Sequence, residues 1–186
     1  MSLTLLSPPA AEPVTLDDMK AHLRVTHSDE DALITGVLVA AVRAVEARGG
    51  LALMPQAWRL TLDAVPDETL FLPLSPVSAL DAVAVIDGEG APQTVAASLY
   101  DAVLGKTPRI RPAGPWPLPV PAVGGVRIDF SAGYANADAV PEQLKLAVKI
   151  LAAAFYENRE AAGEVRLYSV PQAVDALIAP YREVRL

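Results

Sequence analysis

The sequence predicts an α+β protein: a helical bundle of two long and two short helices, with a β-rich insert and an extended proline-rich arm. Three observations carry that expectation. Apolar residues recur at three-to-four spacing near both ends of the chain, period-two alternation appears between them, and six prolines crowd into Pro108–Pro121. The whole chain, 1–186, is read as one domain, with the helical body over 14–54 and 132–180, the insert over 55–131, the arm over 108–121 and a tail over 181–186.

Thr15-Leu-Asp-Asp18 opens the first short helix, about 15–24. Threonine caps the first amides, and Asp17 and Asp18 sit at the positive end of the helix dipole. Ser28-Asp-Glu-Asp31 repeats the signal, and Leu33, Ile34, Val37, Leu38, Ala41, Val42 and Val45 follow at helical spacing until Gly49-Gly50. Its apolar centre predicts burial of this long helix, about 29–48, against several neighbours. No element is assigned to 1–13.

Beyond Met54-Pro55 the period changes to two: Trp58, Leu60 and Leu62 alternate with Arg59, Thr61 and Asp63. Further short β runs stand at Leu70–Leu72, Val83–Ile86 and Val126–Phe130, and Asp87-Gly88-Glu89-Gly90 reads as a hairpin turn. Helical spacing returns after Pro141 with Leu144, Ala147, Val148, Leu151, Ala152 and Phe155, giving a second long helix to about 159–162. A last short helix runs from Pro171 to about Ala179, where Pro180 stops it.

Composition limits the function. The chain has 186 residues, no cysteine and a net charge of −7, so thiol chemistry is excluded and counterion release on phosphates offers it little. No stretch reaches the ~20 apolar residues a membrane helix needs. Residues 1–13 lack the basic start of a secretory signal, and a soluble cytoplasmic protein is expected. The charge is uneven: Leu60–Gly105 holds seven acids and no Lys or Arg, and the next stretch supplies Lys106, Arg109, Arg111 and Arg127 before any acid.

Catalytic motifs are not supported. Leu104-Gly-Lys-Thr107 resembles the end of a phosphate-binding loop, but Tyr100 stands where its first glycine is required. Asp129 likewise replaces the first glycine of a nucleophile elbow around Ser131. His22 and His27 have neither the HExxH nor the HxxxH spacing of a metal pair. No cofactor and no enzymatic activity are expected. The Trp116-bearing proline arm suits either packing on the insert or a contact with another subunit, where a stiff segment loses little entropy. Tyr181, Arg182, Arg185 and Leu186 at the end mix the residue types common in interface hot spots.

Val14–Arg24, Asp29–Ile34, Trp58, Ile128-Asp-Phe-Ser-Ala-Gly-Tyr134, Val140-Pro-Glu-Gln-Leu-Lys145, Phe155-Tyr-Glu-Asn-Arg159 and Val174–Arg182 occur in an order that resembles head-to-tail connector (adaptor) proteins of long-tailed bacteriophages and gene transfer agents. The resemblance covers nearly the whole chain. It implies a ring, usually of twelve subunits, beneath the portal of a filled capsid, with assembly in the host cytoplasm followed by residence in the particle neck. Partners implied are further copies of the chain, the portal protein and a stopper or tail-terminator protein, while DNA passes through the bore without specific binding. Close alternatives are a stopper, a tail-completion protein or a DNA-packaging accessory factor.

In such adaptors the C-terminal segment reaches the portal. Here that makes Tyr168, Pro171, Tyr181, Arg182, Arg185 and Leu186 the portal candidates. Arg109, Arg111, Trp116 and Arg127 are the inter-subunit candidates, expected to meet the acidic insert of a neighbour. Asp63, Asp67, Glu68, Asp81 and Asp87 are the acids expected to line the lumen, where like charge repels the DNA backbone.

Overall fold

The computed structural model describes residues 1–117, 123–158 and 171–182. It is a mixed α+β chain with four α-helices and two antiparallel sheets among the described residues. The chain divides into two compact units, a β unit of 1–10 and 55–134 and a helical unit of 11–54 and 135–186.

In the helical unit, α1 (Leu16–Leu23) starts where expected: the Thr15 hydroxyl accepts the Asp18 amide at 3.1 Å and donates to the Asp18 carboxylate at 2.7 Å. It ends at Arg24, whose φ of 60° lies in the left-handed region. Lys20 reaches Asp31 at 2.6 Å and ties α1 to α2 (Asp31–Gly49). Ile34, Leu38, Ala41, Val42 and Val45 are the buried stripe of α2, and the helix packs on α1, α3 and α4. Those three neighbours are the several partners its apolar centre predicted, while Ala32, Leu33, Gly36 and Ala40 on its other side stay exposed.

α3 (Glu142–Glu157) follows Pro141 and buries Leu144, Ala147, Val148, Leu151 and Ala152. The short α4 (Gln172–Ile178) buries Val174 and Ile178. Gly49 sits where a side chain has no room: a Cβ there would lie 2.6 and 2.8 Å from Leu51 side-chain atoms and 3.2 Å from Ile178.

In the β unit the first strand, β1 (Ser2–Ser7), pairs antiparallel with β2 (Gln56–Leu62). No element was expected there, although Ser2-Leu3-Thr4-Leu5 does alternate; the strand exists because β2 offers it an edge. β2 pairs with β8 (Val126–Ala132), β8 with β4 (Val77–Ile86) and β4 with β5 (Pro92–Thr94), giving the order β1-β2-β8-β4-β5. Leu60, Val83 and Ile128 share one buried row, and Leu62, Val85 and Val126 the next. On the other face Arg59, Asp129 and Ala82 line up, as do Thr61, Arg127 and Ala84.

A second sheet has the order β3-β7-β6, from β3 (Leu70–Phe71), β7 (Arg109–Pro112) and β6 (Tyr100–Val103). The proline-rich segment therefore begins as a strand, contrary to the expected arm: Arg109, Ile110 and Arg111 pair with β6 because only Pro112 in that run lacks an amide to donate. Residues 118–122 of that segment lie outside the described residues.

Candidate assembly surfaces

The β4–β5 turn is built around Asp87. Its carboxylate accepts the amides of Glu89 at 3.0 Å and Ala91 at 2.9 Å and the Gln93 side-chain amide at 2.8 Å. The Gln93 bond, then the backbone amides, hold its carboxyl below the usual carboxylate range. Asp63, just past β2, accepts the Gly124 amide at 2.9 Å and lies 3.7 Å from the amino group of Met1. Asp81 accepts the Ser131 hydroxyl at 2.8 Å on β4, and Asp67 and Glu68 stand exposed in the β2–β3 connection.

The five acids expected along a lumen thus fall in three places. Asp63 and Asp87 share one end of the five-stranded sheet, beyond the Leu62–Val126–Val85 row. Asp81 lies mid-strand, and Asp67 and Glu68 precede β3.

The inter-subunit candidates also separate. Arg109 and Arg111 project from one face of the three-stranded sheet. Arg127 is half-buried on β8 in the other sheet, opposite Thr61, and is not part of their group. Trp116 follows the first of the two courses open to the arm, packing on the insert. It is 7% exposed, its indole N–H donates to the Leu99 carbonyl at 2.8 Å, and its ring meets Tyr100 edge-on with centroids 6.2 Å apart. A ring consumed inside its own unit leaves little surface for a neighbour. Phe71 and Val103 stand exposed beside Arg109 and belong to none of the expected sets; the local sign of the first is the aromatic residue in the middle of the β run at Leu70–Leu72.

Of the portal candidates, Tyr168, Arg185 and Leu186 lie outside the described residues. Pro171 is half-buried and precedes α4. The Tyr181 hydroxyl donates to Gln143, and Arg182 donates to the Arg48 carbonyl at 2.9 Å and to Asp175 at 3.4 Å. Their polar atoms pin the end of the described chain onto α2 and α3.

One charged network holds the start of the helical unit. Arg43 reaches Glu46 at 2.7 Å and Glu12 at 3.4 Å, and Glu46 in turn accepts the Leu53 amide at 2.8 Å. Burial raises the Glu12 carboxyl above its ordinary value, outweighing Arg43, and the nearby Glu46 adds to the rise. Among the described residues no group of three or more His, Asp or Glu side chains is placed to hold a metal ion. No described helix is long and apolar enough to cross a membrane.

A family model described as phage gp6-like head-tail connector protein matches residues 13–100. No curated protein matches the chain. Among solved structures the chain is similar to one in the virion of a native gene transfer agent particle, with 33% identity, TM-score 0.83, and 100% of this chain and 97% of that chain covered. A chain in the neck of an empty gene transfer agent particle, computed with C6 symmetry, gives 33% and 0.82 at the same coverage. One in the neck of a native particle, computed with C12 symmetry, gives 32% and 0.81, again over 100% and 97%.

Proposed function

The chain belongs to the phage gp6-like head-tail connector family, and from that premise we propose that twelve copies close into a ring in the neck of a phage or gene transfer agent particle, between the portal and the next neck protein. The observation that carries this is the 32% identity and TM-score of 0.81, over all of this chain, with a chain of a neck computed with C12 symmetry. A match over all of the chain supports both units taking part in the same assembly. The role is structural, and the work is done by surfaces.

A connector must let DNA pass without holding it. A chain of net charge −7 suits that task, since acids facing the bore repel phosphates and release no counterions. Asp67 and Glu68 are the acids of the lumen set for which no bond is formed within the described chain, which leaves them free to face a bore. The portal contact falls to the segment from Pro171 onward, with Tyr181 and Arg182 fixing its base on the helical unit. Assembly in the host cytoplasm precedes this docking.

Electron microscopy of particles from cells with and without the gene tests the reading. Filled capsids without tails are expected in its absence, and a twelvefold ring in the neck in its presence. Normally tailed particles in its absence would exclude the connector role.

A further inference from the structure

The outer face of the three-stranded sheet carries an apolar and cationic patch. Phe71 stands opposite Arg109, and Arg109 opposite Val103, so the three side chains share one row; Arg111 projects from the same face one row on, opposite the exposed Asp101, which leaves the two arginines in excess over one acid. Ile110, between the arginines, points the other way and is 1% exposed. Phe71 is 40% exposed, Val103 46% and the following Leu104 40%. Neither arginine has a carboxylate within 4.0 Å among the described residues, and Arg109 bonds only the Thr107 carbonyl, at 3.3 Å. Aromatic, branched aliphatic and unpaired guanidinium groups together are the composition of an interface centre.

The charge that would complement this patch lies at the other end of the same unit. Val77 and Gly105 exchange backbone hydrogen bonds of 2.9 and 2.8 Å at the Gln56–Ala132–Val77 end of the five-stranded sheet, which brings Lys106 there and β7 shortly after. Asp63, Asp87 and Glu89 stand beyond the opposite, Leu62–Val126–Val85 end. The seven residues of β2 separate the two ends by roughly 20 Å at about 3.3 Å per residue. Glu89 is exposed at the turn tip, with its carboxylate unpaired among the described residues.

We propose that the Phe71–Val103–Arg109–Arg111 face of one copy receives the Glu89 turn and Asp63 end of the next copy. This rests on the ring reading above and names the contact that builds the ring. Different surfaces at opposite ends of one unit make a heterologous contact, the type that repeats around a rotation axis and closes. The arginines set register and orientation, and Phe71 and Val103 supply the dehydrated centre.

The chain has no cysteine, so the contact is tested in assembled particles carrying both Glu89→Cys and Arg111→Cys, treated with a short bis-maleimide. A ladder of covalent multimers is expected from the double variant, and none from either single variant. A neck that shows the twelvefold ring by microscopy but yields no ladder overturns the contact and leaves the ring standing. A neck without a ring of this chain overturns both. Charge exchange is the second measurement: Arg111→Glu and Glu89→Lys each lower the yield of tailed particles about tenfold, and together in one chain restore it to within about twofold, because every copy presents both surfaces. Failure of the combination to restore assembly overturns the proposal.

Discussion

Arg48, in the last turn of α2, and Asp175, on α4, are joined by a two-point contact across 127 residues of sequence: the Arg48 Nε and Nη2 donate to Asp175 Oδ1 at 3.1 and 2.9 Å, and Nη2 also to Oδ2 at 2.9 Å. With Arg182 on the same carboxylate, the pair fixes the short C-terminal helix to the long one.

Asp175→Asn is expected to loosen α4. The Arg48 bond holds the Asp175 carboxyl below its ordinary value, so its contribution is present above the ordinary carboxylate range and is lost as pH falls through the lowered folded value. Hydrogen exchange over 172–178 should be faster in the variant at neutral pH, and the difference should vanish in acid. Equal exchange rates at neutral pH would show that Val174 and Ile178 hold the helix without the pair.

Gly49→Ala is expected to destabilise the helical unit by about 1–3 kcal/mol through overpacking. Leu51 is buried, so its side chain makes room for a new Cβ at 2.6 Å only by disturbing the packing around it. Thermal unfolding measures the loss; an unchanged midpoint would mean that Leu51 finds another rotamer.

Trp116→Phe removes the bond to the Leu99 carbonyl and leaves most of the apolar packing. A loss of about 1 kcal/mol in subunit stability with ring formation unchanged is expected. Lost assembly at unchanged stability would return Trp116 to a neighbour's surface.

Glu12→Gln is expected to raise the unfolding midpoint at neutral pH. The folded state holds the Glu12 proton more tightly than the unfolded chain does, so this group lowers stability as pH rises from the ordinary carboxylate range through the raised folded value. Glutamine removes that penalty. The gain should fade below about pH 4, where the carboxyl is protonated in both states. A lower midpoint at neutral pH would show that the Arg43 contact outweighs burial.

Arg24→Gly is expected to stabilise α1 by about 0.5–1 kcal/mol, because a side chain at φ 60° opposes the left-handed turn that glycine adopts freely. Calorimetry reads the change, and a loss would mean that the Arg24 side chain contributes contacts worth more than the turn costs.

Local signals were sufficient wherever a segment's own residues set its conformation. Thr15 with two acids marked α1, three-to-four spacing marked α2 and α3, and strict alternation marked β2 and β8. The ordered motifs from Val14 to Arg182 carried the family as well. β1 and β7 were less legible, since an edge strand and a proline-bounded one take their hydrogen bonds from partners distant in sequence.

The candidate surfaces divide in the same way. The sequence alone established that this chain is acidic, without cysteine, and keeps its acids apart from its bases between Leu60 and Arg127. Only the tertiary structure decided that Trp116 is spent inside its own unit, that Arg127 parts from Arg109 and Arg111, and that Phe71 and Val103 flank those arginines. The reason is physical: periodicity and capping act over a few residues, whereas strand register and burial are set by partners tens of residues away, and these decide which side chains share a face.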